Sequence, residues 1–200
     1  MSGLNSIGLG LVGDNDALGL PRALRQSDTP GVYADALTEL GGQAHVYPCR
    51  CSRRDIAQHT DGASAERYPG TCRHAGVPTS ESAARRLELP DDIVTFTDLR
   101  HGAISQQPAA QCGDLLLRDR LAQWTYQFAV VVDDWRHGVD VVIRGDDLLE
   151  STGRQLLLAG QLGRTQPLQW LHHPLITHAD GTKLSKSRGD TGLAELRRQG

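Results

Sequence analysis

Aromatic residues, methionine and cysteine are scarce in this sequence of 200 residues: aromatics make up 4%, with one Met and four Cys. The longest apolar runs, such as residues 128–132, are far too short to span a lipid bilayer. No basic segment followed by an apolar segment opens the chain, so no signal peptide is predicted. We therefore expect a cytoplasmic protein whose cysteines are metal ligands or free thiols rather than disulfides.

Positive charge is also not in excess, since the formal net charge is −3. This balance argues against a generic nucleic-acid binder, so any contact with RNA must be local. The hydrophobic fraction of 38% and the charged fraction of 22% are ordinary for a soluble globular protein. A chain of this length is long enough for one domain with a sizeable core.

The chain alternates between helical and strand-like patterns. A first helix is predicted after Thr29-Pro30, with apolar residues at helical spacing, and Gly41-Gly42 are expected to end it. The apolar positions are Tyr33, Ala36, Leu37 and Leu40. Ser52 is a candidate N-cap for a short helix through Gln58, and a longer helix is expected from about residue 151 to 162.

Four short apolar or β-branched stretches predict strands, at residues 45–47, 93–96, 115–117 and 139–143. Residues 126–134 form a buried segment of ambiguous type, and residues 59–90 are rich in Gly, Pro, Ser and His and predict an irregular insertion. Strands that alternate with helices predict an α/β fold with a parallel sheet.

Residues 8–13 read GLGLVG and match the G-x-G-x-x-G dinucleotide fingerprint. That motif works only between a strand and a helix that directs backbone N–H groups at a pyrophosphate. Only six residues, SGLNSI, stand between Met1 and the motif, and Asp, Asn, Gly and Pro residues follow it. We interpret the segment as an irregular lead-in.

Three of the cysteines cluster in the sequence. Cys49, Cys51 and Cys72 lie within 24 residues, inside a stretch with few core residues. The C-x-C spacing is tighter than the usual C-x2-C pair, but a structural metal suits such a stretch and favours a metal site over unrelated free thiols. The fourth ligand stays open between His74, the usual type, and Tyr68, a rare one. The fourth cysteine, Cys112, stands apart and is predicted to be an ordinary buried thiol.

Two further places carry polar residues with a chemical use. Arg144 ends the predicted strand VVI, and ligands of open parallel sheets bind beyond the carboxyl ends of strands. An arginine there can hold a carboxylate through two parallel hydrogen bonds, although pairing with Asp146 or Asp147 is the structural alternative. Near the C-terminus, ADGTKLSKSR places two lysines on a loop, either to grip phosphate or as a solvated basic turn.

Several stretches together resemble one known family, the class I glutamyl-tRNA synthetases. They are RQSDTPGVYADAL, VYPCRCSRRDI, YPGTCR, YQFAVVVDD, GVDVVIRGDDLLESTGRQ, WLHHPL and KLSKS. Within that family the chain is most similar to the short paralogues, the glutamyl-queuosine tRNA(Asp) synthetases. The resemblance runs from about residue 27 to residue 187, and KLSKS is similar to the second class I signature, KMSKS.

This resemblance implies a Rossmann-type parallel sheet and a ligase that activates glutamate with ATP, Mg²⁺ being expected with the nucleotide. Tyr126 and Arg144 fall on the family's glutamate-binding positions. The loop lysines Lys183 and Lys186 fall on the catalytic positions that bind ATP phosphates, together with Ser185. The implied second step transfers glutamate to queuosine in the anticodon of tRNA(Asp).

The resemblance also implies one structural zinc, with Cys49, Cys51, Tyr68 and Cys72 on the ligand positions of the paralogues. The zinc-binding insertion would span residues 49–90 of a single catalytic domain covering residues 1–200. A monomer without membrane contact is expected.

The sequence also departs from the family pattern. The family's first strand and its HIGH-type nucleotide loop are not recognisable, and the chain stops 13 residues after Ser187. We therefore expect a domain without its first strand–helix unit, and we expect residues 1–200 alone to be poorly soluble and to form no glutamyl-adenylate. Gly153 stands where the family has proline, which is expected to loosen that turn. A fragment of an ordinary glutamyl-tRNA synthetase, or an inactive remnant that binds only zinc or RNA, remain alternatives.

Overall fold

The structure is a computed structural model that describes residues 26, 29–58, 67–80, 82–164, 168–175 and 177. Residues Pro30–Pro174 form one compact unit. A second unit, residues 1–29 and 175–200, lies almost entirely outside the described residues, as do the GLGLVG segment and the KLSKS loop. Among the helices of the described part, none has the length and apolar character needed to cross a membrane.

Five α-helices and seven strands make up the described unit. The helices are α1 Pro30–Gln43, α2 Arg53–Gln58, α3 Pro108–Cys112, α4 Tyr126–Arg136 and α5 Thr152–Gln161. The strands are β1 Val46–Cys49, β2 Ala84–Leu87, β3 Val94–Asp98, β4 Gly102–Gln106, β5 Leu115–Arg118, β6 Val141–Gly145 and β7 Gln169–His173. A 3-10 helix, Asp146–Ser151, connects β6 to α5.

The strands form two sheets. One is antiparallel with the order β1-β2-β5, and the other has the order β4-β3-β7-β6. In the second sheet β7 runs parallel to both β3 and β6, whereas β3 and β4 form an antiparallel pair. The carboxyl ends of β3, β6 and β7 therefore lie at the same edge of this sheet.

The predicted α/β fold is confirmed, but the predicted parallel sheet is wrong in part, because one described sheet is antiparallel and the other is mixed. Residues 99–101 alone join β3 to β4, and so short a connection makes a hairpin rather than a crossover. The irregular stretch predicted for residues 59–90 contains a strand, β2, which pairs with both β1 and β5.

The apolar helix faces predicted from sequence enter the main core. Tyr33, Ala36 and Leu40 of α1 are buried, and they cluster with residues of α4, α5, β2 and β5. The expected stop at Gly41-Gly42 is wrong, because α1 continues to Gln43 and its last turn closes with the Ala44 N–H bonded to the Leu40 carbonyl at 2.8 Å. The ambiguous segment is α4, capped by Thr125, whose side chain accepts a hydrogen bond from the Phe128 N–H.

A second, smaller core lies against the antiparallel sheet. Its buried members are Tyr47, Cys49, Tyr68, Cys72 and Ala84. Arg73 fixes the intervening loop to the start of β5, because its guanidinium makes two bonds, of 2.6 and 3.0 Å, to the buried Asp114 carboxylate. The bidentate pair holds the cysteine-bearing loop at a fixed position on the sheet.

Candidate functional site

A buried arginine lies at the carboxyl edge of the mixed sheet. Arg144 is the fourth residue of β6, is paired in register with His172 of β7, and is 8% exposed. Asp98, the last residue of β3, lies across from Trp170 of the same β7 strand. Three adjacent parallel strands thus bring a cation, an imidazole and a carboxylate to the edge where open α/β sheets bind ligands.

The hydrogen bonds of the Arg144 guanidinium go to neutral acceptors. Its Nη1 donates to Gln155 Oε1 at 2.7 Å, and one Nη2 proton goes to Thr152 Oγ1 at 2.7 Å. The other Nη2 proton goes to the Leu148 carbonyl at 3.2 Å, and Nε donates to His172 Nε2 at 2.9 Å. Of the two structural alternatives, a pair with Asp146 is wrong in geometry, because Asp146 binds Arg100 and His101 instead. Asp134 and Asp147 attract the guanidinium electrostatically and act to raise its pKa.

His172 connects Arg144 to a buried carboxylate. Because an arginine N–H cannot accept a hydrogen bond, His172 Nε2 must be the acceptor, and Nδ1 then donates to Asp98 Oδ2 at 2.7 Å. Asp98 and His172 are both almost fully buried. This chain of contacts fixes the tautomer of His172 and the orientation of the guanidinium.

Tyr126 lies beside the arginine and faces solvent. It is the first residue of α4 and is 50% exposed. Burial lowers the pKa of Arg144 from its usual value, while the neighbouring Tyr126 hydroxyl acts in the opposite direction. The arginine remains charged, since a guanidinium does not lose its proton in proteins. The arrangement offers a fixed positive charge and a phenol to one ligand.

Asp98 makes the stability of the fold depend on pH in the acidic range. Burial acts to raise the pKa of Asp98, but hydrogen bonds from His172 and from the Arg100 and His101 backbone outweigh it and lower the pKa to about 2. The carboxylate therefore stabilises the fold above the ordinary carboxyl pKa of about 4, and this contribution is lost as the pH falls from about 4 to about 2.

We predict that the urea midpoint of the wild-type chain falls more steeply over this pH range than that of Asp98→Asn. At neutral pH, Asp98→Asn should be the less stable of the two. Asp92→Asn, at an exposed position in the loop before β3, is the matched control and should follow the wild type. An Asp98→Asn variant with the acid profile of the wild type would show that the carboxylate does not carry the effect.

The three clustered cysteines meet in the smaller core. The Sγ atoms of Cys49, Cys51 and Cys72 lie within 4.8 Å of one another, and the Cys51–Cys72 separation is 3.5 Å. A tetrahedral zinc with bonds of about 2.3 Å places its sulfur ligands about 3.8 Å apart. The observed spacing therefore suits such a metal. Cys112 lies outside this group, half-buried, with its thiol donating to the Pro108 carbonyl at 3.3 Å.

Tyr68, rather than His74, reaches the cysteine cluster. The Tyr68 hydroxyl is 3.5 Å from Cys49 Sγ and 4.0 Å from Cys51 Sγ, and it accepts the Cys72 N–H at 2.8 Å. His74 is exposed and stacks on His45 with ring centroids 6.2 Å apart. Three thiol sulfurs and one phenolic oxygen thus form a compact set of four potential metal-ligand atoms.

Two thiols of the cluster have pKa values that are shifted in opposite directions. Burial acts to raise the pKa of Cys72, but hydrogen bonds from the Arg50 backbone, Tyr68 and Cys51 outweigh it and lower this pKa. Burial and the hydrogen bond with Cys72 raise the pKa of Cys51. Cys72 therefore ionises before Cys51, and a bound cation would displace the remaining thiol protons.

The glycine that follows α3 sets the position of Tyr68. Gly113 follows α3 with φ +66° and ψ −144°, a conformation open almost only to glycine, and a Cβ there would lie 1.9 Å from the Tyr68 carbonyl oxygen. The Tyr68 N–H bonds to the Cys112 carbonyl at 3.0 Å on the same side. This close approach fixes the backbone beneath the phenol.

We predict that Gly113→Ala lowers the free energy of unfolding by several kcal/mol, because both the strained φ and the clash must be relieved. Gly138→Ala is the matched control, since it also has positive φ (+61°) but open space around a Cβ. That control should lose only about 1–2 kcal/mol. Chemical denaturation of the two variants checks this, and equal losses would rule out the close approach as the cause.

Sequence reasoning found part of this arrangement. Among the residues it singled out, the structure brings Tyr126 together with Arg144, and Cys49, Cys51 and Cys72 together with Tyr68. It missed Asp98, His172 and Gln155. A signal was available for His172, which stands two residues after Trp170 and so shares its strand face. Lys183, Ser185 and Lys186 lie outside the described residues.

Comparison with known families gives one match over nearly the whole chain. Residues 9–199 match the family model described as tRNA synthetases class I (E and Q), catalytic domain. A glutamyl-Q tRNA(Asp) synthetase of Burkholderia cenocepacia is 43% identical in an alignment 175 residues long that covers 84% of this chain and 58% of the relative. One of the same name from Geobacter sulfurreducens is 40% identical in an alignment 184 residues long that covers 88% of this chain and 58% of the relative.

Solved structures show the same fold at lower identity. A glutamate tRNA ligase from Elizabethkingia meningosepticum, in complex with its amino acid, superposes with a TM-score of 0.71 at 24% identity. That match covers 94% of this chain and 41% of the ligase. A glutamate-tRNA synthetase from Elizabethkingia anophelis gives a TM-score of 0.66 at 24% identity, over 82% of this chain and 37% of the other. The chain spans about 58% of the length of the curated relatives it matches.

Proposed function

The chain belongs to the catalytic-domain family of class I tRNA synthetases (E and Q), and we propose that it acts in the ATP-dependent transfer of glutamate to queuosine in the anticodon of tRNA(Asp). The observation that carries the proposal is the buried Arg144, held by neutral acceptors at the carboxyl edge of three parallel strands. The names of relatives at 40–43% identity support queuosine in tRNA(Asp) as the acceptor. A cytoplasmic location is part of the proposal.

Glutamate recognition would use Arg144 and Tyr126. The guanidinium makes its hydrogen bonds to neutral groups, and it would bind a substrate carboxylate in addition to the attraction of Asp134 and Asp147. Gln155, Thr152 and His172 hold its plane, so the arginine needs little reorganisation on binding. Tyr126 is half-exposed next to it and would offer its hydroxyl to the same ligand. A site built around a carboxylate rejects the amide analogue, glutamine.

The proposed first step joins glutamate to ATP. An oxygen of the glutamate α-carboxylate attacks the α-phosphorus, the bond to the bridging oxygen breaks, and pyrophosphate leaves. Mg²⁺ bound with the nucleotide would supply further positive charge to the phosphates. Lys183 and Lys186, with Ser185, are proposed to neutralise the charge that develops on the phosphates. In the second step a hydroxyl of queuosine attacks the acyl carbon, and AMP leaves.

The cysteine cluster is proposed to hold one structural zinc within the insertion spanning residues 49–90. Cys49, Cys51 and Cys72 would supply thiolates, and Tyr68 would supply its phenolic oxygen. When bound, such an ion cross-links the loops that carry its ligands. The cluster lies in its own small core, away from Arg144, so its role is to hold the antiparallel sheet and its loops together.

Transfer of radiolabelled glutamate tests the proposed function. The assay uses the purified protein with ATP, Mg²⁺ and each tRNA in turn. Label should appear on tRNA(Asp) that carries queuosine, and not on tRNA(Asp) that lacks it or on tRNA(Glu). Label at the 3′ end of tRNA(Glu) would instead assign the protein to ordinary glutamyl-tRNA synthesis.

A further inference from the structure

A cavity of about 820 Å³ opens between β2, α2 and the loop that joins β5 to α4. Its size is within the usual range of small-molecule sites. Ile56, Leu116 and Leu121 line it together with the indole of Trp124, so one part of its wall is apolar and aromatic. The cavity is distinct from Arg144 and Tyr126, neither of which lines it.

Arginine dominates the polar part of the wall. Four arginines line the cavity, namely Arg50, Arg53, Arg86 and Arg120, against a single carboxylate, Asp119. That carboxylate is already engaged, because it accepts the Leu121 and Gln123 N–H groups at 2.8 Å each. The concentration of positive charge contrasts with the net charge of −3 of the whole chain. The cavity therefore favours an anion.

Arg86 is the most deeply placed of the four. It is 7% exposed, its Cζ lies 3.7 Å from the centroid of the Tyr68 ring, and its Nη1 donates to the Asp114 carbonyl at 2.9 Å. Its buried Nε has no acceptor among the described residues. A buried donor without an acceptor is unfavourable, so an anionic ligand that supplies one would bind favourably.

We propose that this cavity binds one nucleotide of an RNA partner, with the base against Trp124 and the phosphate among the arginines. An aromatic ring beside guanidinium groups fits the two parts of a nucleotide, since bases stack on aromatic side chains and arginine binds phosphate. The choice of RNA rests on the proposed function, which requires a tRNA. The binding site itself rests on the cavity alone.

Two neighbouring arginines of α2 provide the test. Arg53 lines the cavity and Arg54 does not, although both are exposed and adjacent in the same helix. Binding of a fluorescein-labelled tRNA(Asp) transcript is measured by anisotropy over a range of salt concentrations. Arg53→Ala should weaken binding about tenfold, as for one lost hydrogen bond to a charged group. Its slope of log affinity against log salt should become shallower by about 0.7–0.9, as for one lost phosphate contact. Arg54→Ala should match the wild type.

Competitors and a tryptophan variant identify what occupies the cavity. The transcript should quench tryptophan fluorescence in the wild type, and Trp124→Phe should remove most of that quenching. Equal effects of Arg53→Ala and Arg54→Ala would overturn the proposal. Poly-glutamate that displaces the transcript while AMP does not would indicate an acidic peptide instead. AMP that binds as tightly as the transcript would indicate a free nucleotide instead.

The outcome separates this inference from the proposed function. Arg53→Ala should leave glutamate binding unchanged, because Arg53 is not part of the Arg144 site. If Arg53→Ala loses RNA binding while the wild type does not bind glutamate, the RNA site is supported and the glutamate site is contradicted. If the wild type binds glutamate while Arg53→Ala keeps its RNA binding, only the RNA site is contradicted.

Discussion

Replacing Cys49 with serine is expected to lower the metal content of the purified protein from about one zinc per chain to near zero. Cys49 is fully buried in the smaller core, and serine is a poor ligand for a soft cation there. Structural zinc contributes about 10–16 kcal/mol of binding free energy in small peptide sites, so the antiparallel sheet should lose cooperative unfolding. Metal analysis and thermal unfolding followed by circular dichroism measure the two effects.

Cys112→Ser is the matched control, because this half-buried thiol lies outside the cluster. It should retain the metal. Tyr68→Phe removes only the phenolic oxygen and should weaken metal binding, whereas His74→Ala should not, since His74 stacks on His45 away from the thiols. Freshly purified wild-type protein that contains no zinc would end the proposal. Metal loss in His74→Ala but not in Tyr68→Phe would change the fourth ligand.

Replacing Arg144 with lysine is expected to abolish binding of glutamate, although the charge is retained. Lysine cannot reproduce the planar fork that bonds to Gln155, Thr152 and His172 while it faces a carboxylate. The substitution should also reduce the free energy of unfolding by several kcal/mol, because buried acceptors lose their donors. Calorimetric titration with glutamate and with glutamine, well below the unfolding temperature, measures the loss.

Two further variants separate binding from folding at this site. Tyr126→Phe alters a half-exposed hydroxyl and should weaken glutamate binding about tenfold without changing stability. Arg136→Lys, at the end of α4, should bind as the wild type does. Wild-type protein that binds glutamine as well as it binds glutamate would contradict a carboxylate site, and so would an Arg144→Lys variant that binds normally.

The sequence predicted the helices and strands in which apolar residues recur at the spacing of one buried face. Tyr33, Ala36 and Leu40 gave α1 because three positions of one helical face are apolar. Strand β2, which reads ARRL, has no such period. It pairs with β1 and β5, and its Arg86 buries its guanidinium over the ring of Tyr68, 18 positions away. Local strand propensity cannot predict a contact with a residue so distant in the sequence.

The sequence predicted the site residue that can be recognised from its own strand, and it missed the residues that hold that side chain in place through hydrogen bonds. Arg144 stood out at the end of an apolar strand, but its supports, Asp98 and His172, lie on two other strands. Gly153 shows the same limit. Its expected loosening is offset by an N–H bond to Gln106 Oε1 at 2.8 Å, a bond that proline could not make.

The buried contact between Asp98 and His172 joins residues 74 positions apart. Ribosomes add about 5–20 residues per second, so about 4–15 s pass between the synthesis of the carboxylate and that of its imidazole partner. During this interval β3 and β4 can form their hairpin, but the parallel strand between β3 and β6 does not yet exist. The nascent chain must therefore keep a hydrated carboxylate at the end of β3 until β7 has left the exit tunnel. The carboxyl edge of the mixed sheet is consequently among the last parts of the described unit to assemble during translation.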